Sequence, residues 1–252
     1  MTEKANCPSE KNVLYTVELK HHGASGEGVS NMWTNKAVWK SRWAKVLLLT
    51  FVLLPLYGMQ AQGLDVLRPS TSLLEGKELV QALKEGGYVI YFRHAKTDRV
   101  VEKWDKLVLE DCATQRNLSE EGRQQARRIG ASFAALGIPV AKVLTSPWCR
   151  CADTARLAFG DFETSHDLRF PAMEGVEEFQ RVRDALREML STPPPEGYNT
   201  VLVSHSTTLM DAVGINPKPE GVALIFKPHG DGTCSHVATV PPSEWDRLLA
   251  FR

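Results

Sequence analysis

The segment YVIYFRHAKTD, residues 88–98, runs five apolar positions straight into a permanent cation and an imidazole, Arg93 and His94. Residues 88–92 read as a short buried strand, bounded upstream by Gly86 and Gly87. A buried strand that ends in such a pair has a use for both side chains at its carboxyl end. Working outward, TSLLEGKELVQALKEGG (71–87) has apolar residues at helical spacing, an early Glu and a Gly-Gly stop, and is expected to be a helix. Downstream, NLSEEGRQQARRIGASFAALG (117–137) is expected to be a second helix, capped by Ser119 and closed by Gly137. AKVLTS (141–146) reads as a strand, and WCRCADTARLAF (148–159) as the helix that follows it. GVEEFQRVRDALREMLS (175–191) is amphipathic and ends before a Pro run. NTVLVSH (199–205) is a buried strand with STTLMDAVG helical behind it, VALIFKPHGDGTCSHVATV (222–240) a pair of strands joined by a Gly-containing turn, and PSEWDRLLAF a terminal helix.

Strands alternating with helices predict an α/β fold, a three-layer sandwich with a mostly parallel central sheet, helices on both faces and a hairpin near one edge. The 252 residues are enough for one substantial core. A hydrophobic content of 43% and a charged content of 24% are ordinary globular values, so composition gives no case for a fibrous or disordered chain. Formal net charge is zero, which removes any broad electrostatic argument for nucleic acid or an anionic membrane surface. Anion binding, if present, is local.

The N-terminal quarter differs in character. Residues 1–31 are polar, without apolar periodicity, and read as disordered or untranslated, Met32 being the better start. From Met32 a basic stretch with Lys36, Lys40, Arg42 and Lys45 leads into VLLLTFVLLPLY and then GMQAQG. A basic region, a short apolar core and small residues have the layout of a secretory signal peptide, assigned to 32–63 with cleavage after Ala61 or Gly63. Pro55 and the shortness of the run argue against a spanning helix, and a retained anchor is the alternative. Residues 64–252 then form the exported domain, periplasmic or secreted. Of five cysteines, Cys7 would be lost, leaving Cys112, Cys149, Cys151 and Cys234 in an oxidising compartment.

Three of the strands end alike: in Arg93-His94, in TSPWCR with Arg150, and in SHS with His205. Ligands of open α/β sheets gather at the carboxyl ends of strands. If these strands are neighbours, two guanidinium forks and two imidazoles converge, a set suited to a dianionic phosphoryl group. Adjacent cations lower an imidazole's pKa and keep it neutral and nucleophilic. The arginines already supply positive charge, so no metal or other cofactor is called for.

RHAKT, NLSEEGRQQA, LTSPWCRCADTA and VLVSHSTTL, in that order over residues 74 to about 213, resemble the histidine phosphatase superfamily in its phosphoglycerate-mutase-like branch. The resemblance implies a phosphorylated nucleophile at His94, phosphate ligands at Arg93 and Arg150, a second pocket histidine at His205 and a further polar contact at Thr97. Two departures stand out. Ala95 replaces the family's glycine, and Phe170 in DLRFPAMEG stands where the general acid is expected, leaving Glu174, Glu177 and Glu178 as candidates to replace it. Some relatives that act on good leaving groups lack this acid, so the resemblance implies a narrower substrate and not a lost function. His21, His22, His166, His229 and His236 lack such context; His229 and Lys227 are placed to approach the pocket from the hairpin or to face solvent.

The resulting expectation is an exported phosphatase hydrolysing a phosphomonoester or related group on a small phosphorylated substrate. A phosphoglycerate-mutase-type phosphotransferase and a non-catalytic phosphate-binding protein are the alternatives. Nucleic acid is not an expected partner, and membrane contact is expected only through an uncleaved signal segment. A bond from Cys112 to Cys149 or Cys151 is expected, since both partners flank pocket segments.

Overall fold

A computed structural model describes residues 66–252 apart from Thr71, Val101, Ala172 and Met173. The stretch read as disordered or untranslated (1–31) and the expected signal peptide (32–63) lie outside the described residues. Seven strands form one sheet: β1 (Leu67–Arg68), β2 (Val89–Arg93), β3 (Val140–Thr145), β4 (Glu163–Thr164), β5 (Asn199–Ser204), β6 (Ala223–Pro228) and β7 (Cys234–Val240). Their order is β1-β7-β6-β2-β5-β3-β4. β2, β5, β3 and β4 run parallel, β6 is antiparallel to both β2 and β7, and β1 is parallel to β7, so β6 alone is reversed. The expected α/β architecture and mostly parallel sheet are what the chain forms.

Alternation along β2 divides the core. Ile90 and Phe92 face one side, with α1 (Gly76–Glu85), α2 (Glu120–Leu136), α3 (Cys149–Phe159) and α6 (Glu244–Leu248) packed there through Leu83, Ile129, Phe133, Ala155 and Trp245. Val89 and Tyr91 face the other, against α4 (Val176–Ser191) and α5 (Ser206–Val213) through Leu186, Leu190 and Leu209. Near-continuous burial of β2 and β5 is what a parallel sheet covered on both faces requires.

Two details depart from the sequence reading. The first helix begins at Gly76, not at residue 71, because the Leu74 amide is taken by the Val237 carbonyl of β7 at 2.7 Å, which holds that segment out of the helix. β1 and β4 were not expected; two residues are too few to show a period. The β6–β7 hairpin lies toward one edge, with β1 outside it.

The second helix is pinned to the segment after β2. Ser119 caps it by accepting from the Gly122 amide at 3.0 Å, while the Ser119 amide donates to the Lys96 carbonyl at 3.0 Å. At its middle, α2 crosses α3 so closely that a Cβ on Gly130 would lie 2.0 Å from the Ala158 carbonyl oxygen. Gly130→Ala brings a helix-propensity gain of about 1 kcal/mol, but the backbone it meets cannot rotate away. The variant is expected to be less stable by about 1–3 kcal/mol, read as a lower denaturant midpoint at unchanged slope; an unchanged midpoint would contradict the close approach.

Candidate active site

β2, β5 and β3 are consecutive neighbours, so their carboxyl ends lie side by side. Arg93 pairs in register with Ser204, and the His94 amide donates to the Ser204 carbonyl at 3.0 Å. β5 then delivers His205 as the N-cap residue of α5. β3 leads through Ser146 into α3, whose second residue is Arg150. The Thr154 hydroxyl accepts from the Ala95 amide at 2.9 Å and donates to the Arg150 carbonyl at 2.7 Å, locking α3 to the turn that holds His94. Ala95 is fully buried beside it, so the methyl in place of glycine is accommodated.

The hydrogen bonds assign both imidazole tautomers. His94 Nδ1 lies 2.9 Å from the Ala95 carbonyl oxygen, which can only accept, so Nδ1 carries the proton and Nε2 keeps its lone pair. His205 Nδ1 lies 3.4 Å from Arg150 Nη2, which can only donate, so its proton sits on Nε2 and is given to Ser146 Oγ at 2.9 Å. The two rings are edge to face with centroids 5.7 Å apart. Burial first, and then the charge of Arg150, hold both histidines well below the ordinary imidazole value. Arg150 itself is buried, donates to Glu102 Oε1 at 2.7 Å and lies over the Trp148 ring at 4.4 Å.

Arg93, His94, Arg150 and His205 are thus together. Three further groups join them that the sequence reading missed. Arg116 Nη1 donates to Thr97 Oγ1 at 2.7 Å, and its charge acts on both histidines. Glu220 accepts from Arg93 Nη2 at 3.3 Å and from the Thr97 amide and hydroxyl, with Arg116 at 3.5 Å. Glu102 is the buried partner of Arg150. Arg116 stands one residue ahead of the recognised NLSEEG stretch, which was the available signal; Glu102 and Glu220 had none, being paired across 48 and 127 residues of chain.

The other residues singled out in the sequence are placed as follows. Thr97 is engaged by Glu220 and Arg116. Glu174 and Glu178 are both held by Arg169, and the Arg181 and Arg169 guanidinium groups keep the Glu178 carboxyl below its usual value, the opposite of what a general acid needs. Glu177 is exposed in the first turn of α4. Phe170 packs edge-on against Trp104, 6.3 Å from the His205 ring, so an aromatic pair stands where the acid was sought. Lys227 reaches Gly87 and the Tyr88 ring at the opposite end of β2, and His229 bonds Ser235; neither approaches the pocket, because β6 runs antiparallel to β2. Cys112 is bonded to Cys149, Cα atoms 5.7 Å apart, while Cys151 is a free buried thiol beside His205. Among the described residues, no group of three or more His, Cys, Asp or Glu is arranged to hold a metal ion.

Two imidazoles held well below their ordinary pKa stand among three guanidinium groups at the carboxyl ends of neighbouring parallel strands, a local cationic pocket on an α/β sheet. Residues 89–169 match the family model of the histidine phosphatase superfamily (branch 1). No curated protein matches the chain by sequence. Among solved structures it is similar to the protein histidine phosphatase SixA complexed with tungstate, at 16% identity and a TM-score of 0.45 over 62% of this chain and 98% of that one. It is also similar to a mycobacterial glucosyl-3-phosphoglycerate phosphatase (16%, TM-score 0.40, 56% of this chain and 92% of that one). A phosphoserine phosphatase mutant from Entamoeba histolytica matches at 14% and a TM-score of 0.39 over 60% and 95%.

Both buried histidines make stability depend on pH. The unfolded chain protonates each imidazole as pH falls through about 6.5, and the folded chain does so only much lower, so acid favours unfolding. Below about pH 6.5 each histidine is expected to remove about 1.4 kcal/mol per pH unit, in a window above that of the paired carboxylates Glu178, Asp184 and Asp231. Urea unfolding at about pH 7 and about pH 5.5 reads this; equal stabilities would mean that the rings are already charged in the fold.

Proposed function

We propose that the protein is an exported phosphatase that hydrolyses a phosphomonoester through a phosphohistidine at His94. The observation that carries this reading is the His94 ring: Nδ1 is committed to the Ala95 carbonyl, leaving an uncharged Nε2 among the Arg93, Arg150 and Arg116 guanidinium groups. The Nε2 lone pair forms the N–P bond as the bond from phosphorus to the leaving oxygen breaks, and that oxygen takes its proton from solvent. Water then attacks phosphorus, the N–P bond breaks, and the electron pair returns to Nε2. Buried Arg93 Nε and Arg150 Nε have no acceptor within the protein among the described residues, and equatorial phosphoryl oxygens supply one. His205 follows Arg150: once the guanidinium turns to phosphate, Nδ1 is released to take a proton and donate to the transferring group.

The basic-then-apolar layout of residues 32–63 supports export, and so does the Cys112–Cys149 bond, which persists in oxidising compartments. With Phe170 and Trp104 in place of a carboxylic acid, leaving oxygens of low basicity are favoured.

Brief reaction with phenyl phosphate is expected to trap an acid-labile, alkali-stable phosphoenzyme, absent from His94→Ala together with turnover. Arg150→Lys keeps a charge beside Glu102 but loses the fork; kcat/KM is expected to fall about a hundredfold while the phosphoenzyme still forms. Aryl phosphates should exceed alkyl phosphates in rate. Phosphate affinity without turnover would indicate a binding protein, and transfer to a second substrate hydroxyl faster than to water a mutase. Wild-type turnover in His94→Ala would refute the site.

A further inference from the structure

The loop between β2 and α2 forms a second compartment beside the pocket. Glu102, Lys103, Lys106, Thr114, Gln115 and Arg116 are among the residues lining a cavity of about 330 Å³. Two of them belong to both compartments. Glu102 is the residue on Arg150, and Arg116 the one on Thr97 and Glu220. Whatever fills the cavity therefore lies next to a phosphoryl group bound at His94.

Its charge is one-sided. Glu102 has 6% of its side chain exposed and is neutralised by Arg150 at 2.7 Å, so it contributes little negative potential to the cavity. Lys103 and Lys106 remain, beside Arg116, which shares Glu220 with Arg93. The lysine ion pairs among the described residues are those of Lys96 and Lys142; neither Lys103 nor Lys106 takes part in one. A single 3₁₀ turn, Trp104–Lys106, explains their alignment: the Lys106 amide donates to the Lys103 carbonyl at 3.0 Å, and residues three apart in such a turn project to the same side.

The walls are fixed in advance. Gln115 is buried, accepts from the Cys149 amide at 3.0 Å and donates to the Leu109 carbonyl at 2.7 Å. The Thr114 hydroxyl bonds Val108 at 3.0 Å, and the Cys112–Cys149 bond fastens the loop to the first residue of α3. Little ordering is left to be done on binding.

We propose that this cavity is a second anion subsite, and that the substrates are phosphomonoesters carrying a further phosphate or carboxylate. The proposal rests on the phosphatase reading of the adjoining pocket. Lys103 and Lys106 hold the second acidic group, and Arg116 stands between the two anions.

Calorimetry with non-hydrolysable phosphonates tests the subsite apart from catalysis. Propylphosphonate, phosphonopropionate and propylene bisphosphonate share one phosphonate and differ in the second group. The two doubly acidic compounds are expected to bind the wild-type protein about tenfold more tightly than propylphosphonate, the scale of one charge-assisted contact. In the double variant Lys103→Ala/Lys106→Ala that preference is expected to vanish, with propylphosphonate affinity unchanged. Both lysines are exposed, so folding is not at risk. Equal binding of all three by the wild type, or a preference surviving in the double variant, overturns the subsite. Phenyl phosphate turnover, measured alongside, separates the two claims: preference without turnover sinks the phosphatase and keeps the subsite, and turnover without preference sinks the subsite alone.

Discussion

The Arg150 guanidinium, lying over the Trp148 ring, donates to Glu102 on one side and to His205 on the other, and its charge depresses both pocket imidazoles. Moving it would free His205 Nδ1 and Glu102 together and remove one of the charges that, after burial, lower the pKa of both imidazoles. The fold places it by a short route: β3 ends, Ser146 turns the chain, and α3 presents Arg150 in its first turn. Thr154, one turn further on, ties that helix to the Ala95 amide. A buried cation beside a buried carboxylate is weak evidence for stability; its value here is that a fixed charge keeps a neighbouring imidazole neutral.

Much of this was legible in the sequence because the decisive residues follow strands directly. A buried strand has a short apolar run and a definite end, so Arg93, His94 and His205 were marked by position as well as type. Arg150 was marked by the strand-to-helix switch at TSPWCR. The pocket's counter-charges were not legible. Glu220 meets Arg93 and Thr97 from just ahead of β6, the neighbour of β2, and no local pattern announces a side chain whose partner lies more than a hundred residues away. Of the candidate acids Glu174, Glu177 and Glu178, the first and last are claimed by Arg169, a few residues upstream. For the disulfide, the sequence left Cys149 and Cys151 open. Two residues apart on a helix they point about 200° apart, and the one turned inward sits against His205.

What replaces the missing acid also shapes the pocket. Phe170 and Trp104 form an apolar side near His205, and the Glu102–Arg116 loop forms a charged one. Arg93, His94 and Arg150 lie within the stretch that matches the superfamily model, and His205 joins them from the end of β5, beyond it. The Cys112–Cys149 bond holds the Glu102–Arg116 loop against α3.

The central claim is that His94 is a neutral imidazole with its proton on Nδ1 and its lone pair on Nε2. Nitrogen-15 NMR of the histidine rings tests it most directly, with His94 assigned by comparison with a His94→Gln variant. The account predicts one protonated and one bare nitrogen for His94, the bare one being Nε2, persisting as the pH is lowered past about 6.5. An imidazolium at neutral pH, or a proton resident on Nε2, would contradict it.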